Sequence, residues 1–114
     1  MRQSKAEILQ GTLDLMVLKT LDVMGPMHGY GLARRIEQLS DEALQVSQGT
    51  IYLCLVRLVQ KGWITAEWGT SDNNRKAKFY AISKPGRQQL AAETRNWERV
   101  SGIIGKLLQL GTRG

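Results

Sequence analysis

The spacing of the apolar residues changes at Gly62, and this change constrains the fold more than any other feature of the chain. Before Gly62, apolar residues recur at intervals of three and four, which is typical of amphipathic helices. After it, "WITAEWG" and "AKFYAIS" flank the turn-forming segment "TSDNNRK", a pattern that favours a β-hairpin with Ile64, Ala66 and Trp68 on one face. An isolated hairpin is unstable in water, so it must pack on the helices. We therefore expect a mainly α-helical fold with a small β-hairpin.

Two helices are expected over residues 8–24 and 29–40. The first is apolar almost all round from Leu13 onward, so it should be buried on more than one side, and in so small a domain one side should face a partner chain. The second carries a core stripe of Leu32, Ile36 and Leu39. The segment that follows it is longer than the tight turn of the simplest helix-turn-helix.

The third helix is expected to begin at Ser47, whose hydroxyl is a good N-cap, and to stop at Gly62. Its inward stripe consists of Ile51, Leu55, Leu58 and Val59. The side that points away from this stripe carries Tyr52, Leu53, Val56 and Arg57. An exposed side with this composition needs a function of its own.

Positive charge is concentrated in one segment. Residues 57–87 hold seven basic and two acidic side chains, a balance of +5, whereas the other residues supply only +1 of the total of +6. Such a segment is typical of a surface that binds a polyanion, although many basic faces are only solvated.

Several classes of protein are disfavoured by the composition. A single cysteine, Cys54, excludes an internal disulfide and fits a reducing compartment. No apolar run approaches the ~20 residues of a membrane span, and residues 1–11 do not have the pattern of a signal peptide. We therefore expect a cytoplasmic protein. The lone histidine and cysteine, without a glycine-rich phosphate loop or a metal-ligand cluster, argue against an enzyme, a cofactor or a metal site.

The last helix is expected from about residue 85 to residue 110 and carries a coiled-coil-like stripe, which Glu93 interrupts. Because the compact unit is complete before this helix starts, a second copy of the chain is the economical cover for the stripe. The chain should then divide into a domain of residues 1–83 and a dimerisation helix with a short tail, residues 84–114. The expected dimer interface consists of Leu90, Trp97, Val100, Ile104 and Leu107.

Three helices, a basic hairpin and a long final helix form a winged helix-turn-helix, and the sequence then resembles the PadR family of transcriptional regulators over residues 11–110. Four motifs carry the resemblance: Gly11-Thr12-Leu13-Asp14, His28-Gly29-Tyr30, Tyr52 with Arg57-Leu58, and the wing from Gly69 through Asn73, Asn74, Arg75 and Lys78. The single short C-terminal helix is similar to the compact subgroup of that family.

The resemblance implies a homodimeric, sequence-specific DNA-binding repressor that recognises an inverted-repeat operator. In such a fold the third helix enters the major groove and the wing contacts the DNA backbone or the minor groove. The expected DNA-binding residues are Ser47, Gln48, Thr50, Tyr52 and Arg57 on the third helix, and Asn73, Asn74, Arg75, Lys76 and Lys78 on the wing. The resemblance also implies a planar aromatic effector held by Trp97, Val100 and Met16.

Other interpretations of these residues stay open at this point. Tyr30 either packs its ring locally or contacts DNA, His28 is expected to cap or shape a loop, and Cys54 is expected to pack in the interior. Trp97 either closes the dimer seam or also contacts an effector.

Leu53 and Val56 depart from the usual family pattern on the outward face of the third helix. They suit thymine methyl groups, but they also suit weakened DNA binding or a protein-contact surface. The alternative function is therefore a dimeric winged-helix interaction module without specific DNA binding.

Overall fold

The computed structural model describes residues 10–111, except the side chain of Gln10; the remainder of the first expected helix and the expected tail therefore lie outside the described residues. The elements are α1 (Gln10–Met24), β1 (Met27–His28), α2 (Gly29–Leu39), α3 (Gln48–Gln60), β2 (Ile64–Thr70), β3 (Lys76–Ile82) and α4 (Lys84–Leu108). The predicted winged helix-turn-helix with a long final helix is confirmed.

The sheet is antiparallel with the strand order β1-β3-β2. The hairpin of β2 and β3 pairs Ile64 with Ile82 at its base and Thr70 with Lys76 at its tip. The sequence did not indicate β1, because its two residues are too few for an alternating pattern. In the structure β1 pairs with β3, so it attaches the start of α2 to the hairpin.

The core lies where α1, α2 and α3 meet the base of the sheet. Its buried side chains include Val17, Leu18, Leu21, Leu32, Ile51, Leu55, Leu58, Ile64 and Tyr80. Burying this apolar surface is the main term that stabilises a domain of this size.

Two apolar residues that the sequence placed inward, Leu39 and Val59, are exposed, and these two predictions were wrong. Leu39 is the last residue of α2 and is 61% exposed, because the chain leaves the core there through Asp41 and Glu42. Val59 is 37% exposed, and buried Cys54 occupies the inward position beside Leu55 instead. Trp68 is 69% exposed far along β2, where the Lys78 ammonium lies 5.6 Å from its ring centroid.

The start of α4 is fastened to the base of the hairpin. The Ser83 backbone N–H donates to the Trp63 carbonyl at 3.0 Å, and the Ser83 hydroxyl donates to the Gly62 carbonyl at 2.7 Å. The same hydroxyl oxygen accepts from the Gly86 N–H as the N-cap of α4. Gly86 lies so close to the residue that precedes β2 that a Cβ on it would be 1.9 Å from the Trp63 carbonyl oxygen.

Leu90, which was predicted for the dimer interface, lies in the core of its own chain and is only 7% exposed. This prediction was wrong because the first turns of α4 pack back on the domain instead of leaving it at once. Although α4 begins at residue 84, its residues Gly86 and Leu90 are buried and pack with the domain that precedes the helix.

A buried charged cluster joins α1 to α3. Asp14 is 6% exposed, and its Oδ1 accepts from Arg57 Nη2 at 2.5 Å and from the Cys54 thiol at 3.2 Å. Burial, followed by the hydrogen bond to Asp14, raises the pKa of the Cys54 thiol to about 12, so the thiol keeps the proton that it donates. The expectation that Cys54 packs in the interior is confirmed.

We expect Gly86→Ala to destabilise the protein by about 1–3 kcal/mol, because the new methyl group collides with backbone that cannot rotate away. Gly102→Ala on the same helix is the matched control, since nothing lies within 4 Å of its Cβ position. The control should be neutral or stabilise by up to ~1 kcal/mol through helix propensity. Chemical unfolding at a fixed protein concentration measures both, and equal stabilities of the two variants would contradict the close approach at Gly86.

We expect Asp14→Ala to cost about 3 kcal/mol, the low end for breaking a buried ion pair, because the Arg57 side chain keeps 22% of its exposure. Glu37→Ala, which breaks the exposed Arg34–Glu37 pair, should cost less than ~1 kcal/mol. Chemical unfolding tests both variants. A loss at Asp14 no larger than the loss at Glu37 would show that the buried pair does not hold α3 against α1.

Candidate nucleic-acid interface

The N-terminus of α3 is capped and open to solvent. The Ser47 hydroxyl oxygen accepts from the Thr50 N–H at 3.1 Å, as predicted for an N-cap, and the hydroxyl donates to Thr50 Oγ1 at 2.9 Å. Gln48 and Gly49 are exposed, and a Cβ at Gly49 would have no atom within 4 Å. The backbone at this helix start is therefore free to approach another molecule, and a helix N-terminus favours a negative one.

The outward face of α3 is exposed as the sequence predicted. Leu53 is 64% exposed and Tyr52 is 57% exposed, whereas Val56 is half-buried. The prediction that Leu53 lies outside the core is confirmed, because it projects opposite the buried Cys54, Leu55 and Leu58 of the same helix.

A groove of about 390 Å³ runs between the starts of α2 and α3 and the strand β3. Its lining includes all three tyrosines of the chain, Tyr30, Tyr52 and Tyr80, together with Gln48 and Lys78. Tyr80 is buried, and burial, with a smaller contribution from Tyr52, raises its pKa, so its hydroxyl stays neutral at neutral pH. The groove thus joins the third helix to the wing.

Tyr30 belongs to this surface, and the interpretation that it packs its ring locally was wrong, because it is 69% exposed. His28 directs the chain at this point: its Nδ1 accepts from the Gly31 N–H at 3.0 Å, so the predicted capping role is confirmed. The sequence signal for Tyr30 was its place in the first turn of α2, but periodicity alone did not reveal which elements would lie beside that turn.

The tip of the hairpin is a tight turn with exposed cations. The Asn74 N–H donates to the Ser71 carbonyl, and the Ser71 N–H donates to the Arg75 carbonyl, both at 2.8 Å. Asn74 has φ 61°, a left-handed conformation that asparagine tolerates better than most residues. The backbone of the turn therefore accounts for an asparagine at this position. Asn73, Asn74, Arg75, Lys76 and Lys78 are exposed.

A second groove, of about 490 Å³, lies between this tip and the start of α2. Asn73, Arg75 and Lys76 line it together with Tyr30. The two grooves share His28, Tyr30 and Ala77, so Gln48 and Tyr52 of the predicted helix residues and Asn73, Arg75 and Lys76 of the predicted wing residues line adjacent grooves.

Arg57 does not belong to that surface. Its guanidinium binds the buried Asp14 carboxylate, and its side chain is only 22% exposed. Its charge is paired on the flank of α3 that turns toward α1, where a buried carboxylate needs a cation, and Arg57 lines neither of the two grooves. An aspartate among the apolar residues of the first helix was the sequence signal for this pairing.

The remaining residues of the predicted seam lie beyond the core. Trp97 is 55% exposed, Ile104 is 48% exposed and Leu107 is 60% exposed, while Val100 is half-buried on the same face of α4. Ile103 and Leu108 extend this apolar face. Met16, predicted to contact an effector with Trp97, is half-buried on α1 against the core.

Within residues 10–111, no helix has the length and apolar character needed to cross a membrane. The same residues contain no cluster of three or more histidine, cysteine or acidic side chains suited to a metal ion.

Comparison with known proteins agrees with this geometry. The chain matches the model of the transcriptional regulator PadR-like family over residues 17–92. A PadR-like transcriptional regulator from Bacillus cereus is 28% identical with a TM-score of 0.76, covering 90% of this chain and 97% of that one. A PadR family regulator from Eggerthella lenta is 27% identical with a TM-score of 0.75, covering 90% and 86%. An uncharacterized protein of Lysinibacillus sphaericus is 26% identical over 105 residues, which are 92% of this chain and 95% of that protein.

The family model covers well over half of the chain, and the solved relatives share its fold across nearly its whole length. The chain therefore belongs to the PadR-like family of transcriptional regulators, DNA-binding proteins that control transcription and are not enzymes.

Proposed function

We propose that this protein is a homodimeric, sequence-specific repressor that acts in the cytoplasm by occupying an inverted-repeat operator. One observation carries the proposal: the exposed start of α3 and the cationic tip of the hairpin line two adjacent grooves, and Tyr30 lines both of them. A polar helix end beside a set of exposed positive charges matches the two needs of DNA recognition, which are base contacts and phosphate contacts.

The proposed contacts divide by chemistry. Gln48 and Thr50 lie at the open end of α3 and are suited to base edges in the major groove. Ser47 keeps its capping bond and lies where backbone N–H groups meet a phosphate. Tyr52 and Tyr30 are exposed residues that line the groove, and a phosphate would be the natural acceptor for their hydroxyl groups.

The wing supplies affinity more than specificity in this proposal. Arg75, Lys76 and Lys78 are exposed cations, and neutralising phosphates releases counterions from the duplex. Asn73 and Asn74 add neutral donors at the tip of the hairpin, which suits the backbone or the minor groove. Arg57 is left out because its charge is already paired.

The dimer is proposed from the uncovered part of α4. A helix of 25 residues is about 37 Å long, and only its first turns are buried in the domain. The apolar face continues past the core through Trp97, Ile104 and Leu107, which stay exposed in the single chain. Pairing of this face with its copy about a two-fold axis would place two α3 helices on half-sites about 34 Å apart, or a multiple of that distance.

The proposed effector site lies in the same seam. Trp97 and Val100 on α4, with Met16 on α1, stay the predicted residues for a planar aromatic compound. A compound that altered the seam would change the distance between the two α3 helices and hence the DNA affinity. Coupling free energies of this kind are typically about 1–3 kcal/mol.

Binding-site selection with the purified dimer, followed by affinity measurements at several salt concentrations, tests the function. We expect the selected duplex to bind at least about 10³-fold more tightly than random duplex, with a steep loss of affinity as salt rises. Weak binding without sequence preference would instead support the interaction module.

The wing is tested in the same assay with Lys78→Ala. We expect weaker binding to every duplex and a salt slope smaller by about 1, because one phosphate contact is lost. Arg95 is exposed on the side of α4 opposite to Trp97 and Ile104. Arg95→Ala therefore removes one positive charge away from the wing and should leave the salt slope unchanged. Equal effects of the two variants would show that only net charge matters.

Ile104→Glu tests the dimer. We expect the variant to sediment as a monomer at concentrations where the wild type is a dimer, because the seam would bury one carboxylate from each copy with no cation to pair it. Arg95→Glu, on the other side of α4, should stay dimeric. A monomeric wild type, or a dimeric Ile104→Glu variant, would contradict the proposed seam.

A further inference from the structure

The centre of the exposed face of α3 is apolar. At 100° per residue, Gly49, Leu53, Val56 and Gln60 lie on the side opposite to buried Ile51, Cys54, Leu55 and Leu58. Leu53 is 64% exposed there, and Gly49 contributes no side chain. Whatever lies against the middle of this face therefore meets Leu53 and Val56, with the exposed Gln60 one turn further along the same face.

The major groove offers such a surface very little that is apolar. The base edges present hydrogen-bond donors and acceptors, and among the four bases the only apolar group is the C5-methyl of thymine. A leucine pressed against a donor or acceptor strips it of water without replacing the hydrogen bond, which is costly. Against a methyl group it buries apolar area on both sides.

We propose that Leu53 and Val56 determine specificity by reading pyrimidine C5-methyl groups in the major groove, and this inference rests on the proposed binding of DNA through α3. Each half-site should contain at least one thymine whose methyl group contacts Leu53. A 5-methylcytosine at that position presents the same methyl group and should be read in the same way.

The surroundings of Leu53 favour DNA over a protein partner. Tyr52, the neighbour of Leu53 in the chain, lines one groove together with Gln48 and Lys78, so a cationic surface that suits a polyanion begins on one side of the apolar centre. Two apolar side chains also fall far short of the area of about 800 Å² per partner that a stable protein interface buries.

The test replaces single thymines of the selected operator with deoxyuridine, which removes the methyl group and leaves every hydrogen-bonding group in place. We expect about four-fold weaker binding at one or two positions in each half-site, the ratio that corresponds to one buried methylene-sized group. In Leu53→Ala the thymine and deoxyuridine duplexes should bind equally at the position that contacts Leu53. The salt slope of this variant should not change, because it removes no charge.

Leu39→Ala is the matched control, since Leu39 is an equally exposed leucine, 61% against 64%, at the end of α2. It should keep the full discrimination between thymine and deoxyuridine. Thermal unfolding should show both variants folded, because neither side chain is in the core. At the same operator position, 5-methylcytosine should bind about four-fold more tightly than cytosine to the wild type, and equally to Leu53→Ala.

Two failures are distinguishable. Specific operator binding with no position sensitive to the methyl group, or discrimination that persists in Leu53→Ala, would overturn this proposal and leave the proposed function intact. Absence of any preferred duplex would contradict the proposed function itself, and this proposal with it.

Discussion

The buried carboxylate of Asp14 is the constraint on which the orientation of α3 depends. A carboxylate taken out of water needs a cation and hydrogen-bond donors, and Arg57 and Cys54 supply them from positions three residues apart on α3. Satisfying this charge fixes the rotation of α3 about its own axis. Once Arg57 and Cys54 turn toward α1, Leu53 and Tyr52 must turn toward solvent.

The same interaction connects α3, which is proposed to contact DNA, with α4, which is proposed to form the dimer. α1 holds α3 through Asp14 and also packs against the first turns of α4, where Leu90 enters the core. A change in the position of α4 would therefore reach α3 through rigid, close-packed elements and not through a flexible linker. The hydrogen bonds from Ser83 to Gly62 and Trp63 provide a second connection, because they fasten α4 to the base of the wing.

The candidate interface separates affinity from specificity in space. The cations lie at the tip of the wing and along β3, where they suit phosphates of any sequence. The open end of α3 and its apolar centre lie beside them, where the base edges would come. Tyr30 bridges the two regions, because it lines the grooves on both the α3 side and the wing side.

The sequence by itself determined the features that depend on neighbours along the chain. Three helices, the hairpin, the long last helix and the caps at His28 and Ser47 follow from spacing and local hydrogen bonds, and the motifs identified the family. The outward direction of Leu53 also followed, since it depends only on the helical repeat.

Only the tertiary structure decided which neighbour covers each helix face. It paired Arg57 with Asp14, placed Leu90 in the core, left Leu39, Val59 and Trp68 in solvent, and set Tyr30 between α3 and the wing. Periodicity gives the direction of a side chain about the axis of its own helix. The element that covers that side chain comes from residues far away in the sequence. The physical reason is that packing and the pairing of a buried charge are settled between elements, after each element has formed.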